Sequence, residues 1–302
     1  MIVITGASGK TGSRTADLLL QSKRQVRVLG RTADHLKQFG DRGADVLVGD
    51  QSDPDFLTKA FMGAEAAYLI IPPKYDYPQD YRAYYNTISD AAITAIKASG
   101  LRKVVFLSSL GAERDTGTGP ILGLHDVEAK LNALRRVDVA VIRAGFMMEN
   151  LLVNLDTIRN RRILSDSVEP DVPILMVASR DIGDKAAEIL LDRKFRGHEI
   201  IELFGDRFSY RDAVKVVGRS LDIPDLPYVR FADDDAINAM TGMGVSRTVA
   251  ESFIEMSRGL NTGKLATRKL KPDSPNGSTR FGQFVDEVLK PAYNSQGLKR
   301  AA

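Results

Sequence analysis

Six short apolar runs punctuate the first half of the chain, at 1–4, 25–30, 44–49, 66–71, 103–109 and 138–144. Helical patterns fill the gaps between them, for example over 53–62 and 86–99. Strands that alternate with helices of this length form βαβ units, which makes the strands parallel and puts helices on the sheet faces. The first run, Met1-Ile2-Val3-Ile4, has no polar alternation, as expected of a strand covered on both sides. An α/β fold with a doubly wound parallel sheet is therefore predicted. Two weaker strand patterns, at 174–178 and 198–204, join or border that sheet. Beyond them the pattern is mostly helical, broken by Pro224, Pro227, Pro272 and Pro275. The expected organisation is a nucleotide-binding domain over 1–150 and a smaller, discontinuous, mainly helical C-terminal lobe over 151–302, with a frayed tail from Asn294 onward.

Directly after the first run the chain reads Thr5-Gly6-Ala7-Ser8-Gly9-Lys10-Thr11-Gly12. Glycines three apart let a strand turn sharply into a helix and let an anion approach the backbone without meeting a Cβ atom. The helix N-terminus adds unpaired N–H groups and a partial positive charge. Gly6, Ser8, Gly9, Lys10, Thr11 and Gly12 are accordingly candidates for holding a pyrophosphate, and the sheet is read as a Rossmann sheet. The spacing differs from the commonest G-x-G-x-x-G form. Ser13-Arg14 after Gly12 excludes a P-loop.

The end of the second strand distinguishes the two nicotinamide nucleotides. A carboxylate there holds a ribose 2′-hydroxyl, whereas an arginine accommodates a 2′-phosphate. This chain reads Val28-Leu29-Gly30-Arg31, with no carboxylate before Asp34. Arg31, permanently charged and able to grip a phosphate with two N–H groups, points to NADP(H). Asp50 and Gln51 follow the third strand, where an adenine edge would lie. Ile71 and Pro72 follow the fourth and could pass beneath the ribose. Both stretches also read as ordinary loop structure.

Composition narrows the function classes. The 302 residues are 43% hydrophobic and 27% charged, ordinary for a globular protein. A net charge of +3 with scattered Lys and Arg offers no basic stripe, so no direct nucleic-acid partner is expected. The absence of cysteine excludes disulfides, thiolate nucleophiles and cysteine metal sites, and no metal site is expected. No run reaches the length of a membrane span, and the first apolar run lacks the flanks of a signal peptide. A cytoplasmic protein with a small-molecule substrate is expected, and a homodimer or a regulatory protein partner stays open.

These residues resemble the NmrA-like branch of the atypical short-chain dehydrogenase/reductases. The likeness rests on "TGASGKTG", Arg31, "GDQSD", "VVFLSSLGA", "HDVEAKL", "IRAGFMMENLL", "ASRDIGDKAA" and "FGDRFSYRDAVKVV", and spans nearly the whole chain. It implies NADP(H) in an extended groove, with the nicotinamide near the fifth and sixth strands, beside Gly145 and Phe146. The family holds NADPH-dependent quinone reductases and also regulators that only sense the nucleotide.

The resemblance also sets out the candidate chemistry. Typical short-chain dehydrogenases use Tyr-x-x-x-Lys, and Lys130 matches the lysine, which holds the nicotinamide ribose. Asp126 stands where the tyrosine would be, so the usual proton donor is missing. Ser109 matches a hydroxyl that orients the substrate carbonyl. His125 reads either as a surface histidine or as a candidate proton source near neutral pH. Five of the nine tyrosines, Tyr75, Tyr77, Tyr81, Tyr84 and Tyr85, crowd the stretch after the fourth strand. Tyr75 and Tyr81 are candidate substrate contacts there, and packing against the C-terminal lobe is the other reading. Phe146, Met147 and Met148 read equally as pocket wall or as core. The functions in play are an NADPH-dependent reductase of a quinone-like or other small conjugated carbonyl compound, an NADP(H)-sensing regulator without turnover, and an epimerase or dehydratase that keeps its cofactor.

Overall fold

The computed structural model describes residues 1–265 and 274–298. Seven parallel strands form the main sheet: β1 (Ile2–Ile4), β2 (Val26–Gly30), β3 (Asp45–Val48), β4 (Ala66–Leu69), β5 (Lys103–Ser109), β6 (Asp138–Ala144) and, after three short strands, β10 (His198–Leu203). Their order is β3-β2-β1-β4-β5-β6-β10. The order reverses between β1 and β4, which is the topological switch point where open α/β sheets bind ligands.

Successive residues of β1 face opposite layers. Ile2 and Ile4 lie in one core with Ala16, Leu19, Ile142, Ile182 and Leu190, while Val3 lies in the other with Leu57, Ile88, Phe106 and Val127. That is why the strand has no polar alternation. The first layer is built by α1 (Lys10–Gln21) and α2 (Lys37–Gly40), joined much later in the chain by α7 (Ser179–Asp192). The second layer holds α3 (Pro54–Phe61), α4 (Tyr81–Ser99) and α5 (Ile121–Asn132). Local chemistry sets the boundaries. The Asp53 carboxylate caps the amides of Asp55 and Phe56 with Pro54 in the first turn, and Gly100 ends α4 in a left-handed conformation at φ 73°.

The expected strand at 198–204 is the seventh strand of the main sheet, paired with β6 from His198↔Val139 to Leu203↔Ala144. The expected strand at 174–178 lies outside it. There β9 (Ile174–Val177) pairs with β7 (Phe146–Met147) and β11 (Asp206–Phe208) in a small separate sheet, and β8 (Leu164–Asp166) pairs with β12 (Tyr228–Arg230). The remaining helices are α6 (Leu155–Arg161), α8 (Tyr210–Ser220), α9 (Asp233–Gly242), α10 (Arg247–Asn261), α11 (Phe281–Phe284) and α12 (Lys290–Leu298). Met148, Leu155, Tyr210 and Phe281 centre a third core within this lobe.

Pro272 and the last four residues of the tail lie outside the described residues, whereas Asn294 to Leu298 continue α12. Among the described residues no helix is long and apolar enough to cross a membrane.

Candidate functional site

The glycine turn stands at the switch point. Gly6 has φ +61°, a left-handed conformation that favours glycine, and a Cβ built there would touch Ile70 beyond β4 at 3.4 Å. Gly9 is the N-cap of α1, and no side chain caps the helix or places a carboxylate in its first turn. The first-turn amides of Lys10, Thr11 and Gly12 therefore have no intrahelical partner. A Cβ on Gly12 would collide with the carbonyl oxygen of Gly6, so this glycine lets the helix sit down on the turn. Ser8, Gly9 and Lys10 are exposed beside that helix end.

Arg31, exposed just past β2, has no hydrogen bond or ion pair among the described residues. Its charge nonetheless reaches Asp50 and Tyr84. The Asp50 carboxyl is held below its ordinary value, first by the backbone N–H of Ser52 at 2.9 Å and more weakly by Arg31 and Lys74. Gln51 is buried, and its Oε1 has no hydrogen-bond partner among the described residues. Such an orphan is costly unless something fills it. Ile71 is buried in the core, and the Pro72 carbonyl accepts from the Tyr84 hydroxyl at 2.8 Å.

The carboxyl ends of β5 and β6 form the other half of the crevice. Ser109 is half-buried and donates to its neighbour's carbonyl, Leu110 O, at 3.0 Å. His125, on the first turns of α5, has Nδ1 2.8 Å from the Ala112 carbonyl. A carbonyl only accepts, so Nδ1 carries the proton and Nε2 is the nitrogen left to gain or lose one. Gly145 is buried, and a Cβ there would come within 2.5 Å of Leu175 O, so β9 packs directly on its backbone. Phe146 and Met147 are half-buried, while Met148 is fully buried in the third core. The β5–α5 loop is clamped from above: at Gly119, φ +58°, a Cβ would overlap Ser252 O on α10.

The expected site residue Lys130 and the neighbouring Asp126, which stands in place of the tyrosine, are both bonded into the seam between α4 and α5. The Lys130 ammonium is held between α4 and α5, donating to Asp90 at 2.6 Å and Ser89 Oγ at 2.9 Å. Asp126 takes a two-pronged hold from Arg82, both contacts 2.7 Å, and a third hydrogen bond from Asn86. These hydrogen bonds, led by Arg82, bring its carboxyl down to about 2. It is ionised at neutral pH and cannot serve as an acid there.

The tyrosine-rich stretch is largely packing. Tyr81, Tyr84 and Tyr85 are buried, and their rings lie 5.3 to 5.9 Å apart in one cluster that reaches Phe253 on α10. Burial pushes the Tyr84 hydroxyl up to about 12. Tyr75 alone of the group is half exposed, 6.1 Å from the Phe253 ring.

A charged cluster that the motif analysis passed over lies below the β5–β6 end. Arg143, in the apolar strand β6, makes a bidentate contact with the buried Glu128 of α5. An arginine inside an otherwise apolar strand pattern was the available signal, since such a charge has to be paired.

Comparison with known proteins agrees with this architecture. A NAD(P)H azoreductase of Xenophilus azovorans is 24% identical over 260 residues, 85% of this chain and 86% of that protein. The NADPH complex of the Escherichia coli quinone oxidoreductase QOR2 superposes with a TM-score of 0.79 at 21% identity, covering 96% of this chain and all of that one. NmrA, a negative transcriptional regulator solved with NADP, superposes with a TM-score of 0.74 at 14% identity, covering 100% of this chain and 98% of its own. Residues 1–270 match the family model itself, and the chain belongs to the NmrA-like family.

Proposed function

We propose that the protein binds NADP(H) across the switch point and uses it to reduce a quinone-like or other small conjugated carbonyl compound. One observation carries the nucleotide part: the glycine turn leaves the N-terminus of α1 without a side-chain cap, and Arg31 past the end of β2 makes no ion pair among the described residues. Gly6, Ser8, Gly9, Lys10, Thr11 and Gly12 would hold the pyrophosphate and Arg31 the 2′-phosphate. Asp50 and the unfilled Oε1 of Gln51 would meet the adenine. Ile71 and Pro72 would lie under the ribose, with Gly145 and Phe146 at the nicotinamide end. Lys130 is left out of this set because its ammonium is already bound between two helices.

Bound NADPH supplies the hydride, and positioning of the acceptor supplies most of what the chain must add. Ser109 would orient the acceptor oxygen, and the His125 imidazolium would deliver its Nε2 proton and so return to the neutral Nδ1–H form. Tyr75, Phe146 and Met147 would form the walls, while Tyr81 stands behind them in the core. The azoreductase and the quinone oxidoreductase among the relatives support a reductase.

A second reading is an NADP(H)-sensing regulator, favoured by the commitment of Asp126 and Lys130 to ion pairs and by the likeness to NmrA. NADPH oxidation against a panel of quinones, enones and dyes, run beside calorimetric titration of NADPH, separates the two. Steady turnover supports the reductase, and tight binding without turnover supports the sensor. Failure to bind NADPH overturns both.

A further inference from the structure

The Arg143 guanidinium touches two carboxylates on two different segments. Its Nε and Nη2 donate to Glu128 at 3.1 and 2.7 Å, and its Nη1 donates to Glu113 at 3.4 Å. Ser108 Oγ donates to the same Glu128 carboxylate, which closes a cluster that is nearly all buried. Glu113 directly follows Ala112, whose carbonyl accepts from His125 Nδ1. Glu128 lies three residues beyond His125, on the same face of α5. A single cation therefore grips the chain on both sides of the hydrogen bond that orients His125: the loop carrying the acceptor and the helix carrying the donor.

We infer that Arg143 is the positioning residue that fixes the tautomer and direction of His125. A planar guanidinium can engage Glu128 with two parallel N–H bonds while its third nitrogen reaches Glu113, a geometry that an ammonium cannot reproduce. Without that charge, two carboxylates would face each other at the base of the loop, and Ala112 would move relative to α5. The geometry stands on its own contacts, and its effect on turnover rests on the reductase reading above.

Nitrogen-detected NMR of the imidazoles tests this directly. The chain has three histidines, so His35→Gln and His198→Gln assign the third. The expected result is one Nδ1–H tautomer of His125 in the wild-type protein and a mixture of both in Arg143→Met, with Arg143→Lys restoring little. Glu113 is exposed, so Glu113→Gln leaves the fold intact and should give a partial mixture if Arg143→Met does not fold. With an acceptor from the panel, Arg143→Met should lower kcat by roughly 10²-fold, at the low end of what a placed proton donor contributes. NADPH affinity should not change, and no further loss should appear in a His125→Gln background. A wild-type tautomer retained in both Arg143→Met and Glu113→Gln overturns the inference. A tautomer response in a protein that turns over no acceptor upholds it and overturns the reductase reading instead.

Discussion

At the scale of the residue, the three glycines of the turn have three different jobs. Gly6 is bent into the left-handed region, Gly12 accommodates the oxygen of Gly6, and Gly9 has only a 3.3 Å approach to that oxygen with an ordinary backbone. Gly9→Val should therefore fold and lose the nucleotide, because its side chain would stand where a pyrophosphate approaches the helix end. Gly12→Val should instead lower stability by about 1–3 kcal/mol or more, the range for overpacking. Thermal melts and NADPH titrations of the pair separate the two effects. Arg31→Ala is expected to weaken NADPH binding by roughly 1.5–3 kcal/mol, the range for a hydrogen bond to a charged group, and to leave NADH binding nearly unchanged. Equal losses for both nucleotides in calorimetry would contradict the assignment.

At the scale of the element, the α4–α5 interface explains why two family-matched positions do not reach the crevice. A Cβ on Gly123 would come within 2.5 Å of the Tyr85 ring, so these helices approach closely and capture the polar side chains along their seam. Lys130→Ala should leave NADPH affinity unchanged and cost about 0.2–1 kcal/mol of stability, as for an exposed ion pair. Isothermal titration and urea unfolding measure the two. The hydrogen bonds from Arg82 hold the Asp126 carboxyl at about 2, below the ordinary aspartate range. A depressed carboxylate contributes stability that is complete above the unfolded value and is lost as pH falls through the folded one. Asp126→Asn should thus flatten the fall in melting temperature between about pH 4 and pH 2, and an unchanged acid limb would show the pair to be idle. The tyrosine stretch was ambiguous for a physical reason: spacing along a helix says which residues share a face, but not what covers it. Phe253, some 170 residues later, covers this one.

At the scale of the whole molecule, the strands of the main sheet were legible because a strand buried on both faces leaves a continuous apolar run. The glycine turn was legible because a side chain would be strained at Gly6 and would collide with the Gly6 carbonyl at Gly12. What stayed hidden depends on long-range partners: β9 falling outside the main sheet, the Arg143–Glu128 pair, and the anchoring of the C-terminal segment. Asp181 of α7 is buried and accepts from Ser278 Oγ, Thr279 N and Thr279 Oγ1 at 2.7 to 2.9 Å. Asp181→Ala leaves a buried backbone N–H unpaired and should cost about 1–3 kcal/mol. Hydrogen exchange should accelerate first in 274–289, and uniform acceleration across the sheet would contradict a local anchor.

The same connectivity has a consequence for how the protein is made. Helix α1 rests on α7, with Gly183 packed against Arg14 and Thr11, and Leu19 shares its core with Ile182 and Leu190. The ribosome delivers α1 long before α7, which ends at Asp192, and β10 later still. Through that interval the face that α7 completes carries only α1 and α2, and its remaining apolar side chains are available to chaperones or to one another. Contacts so distant in sequence also slow folding once the chain is free. The glycine turn, although made long before α7, can become rigid only once that helix has followed it and closed on α1.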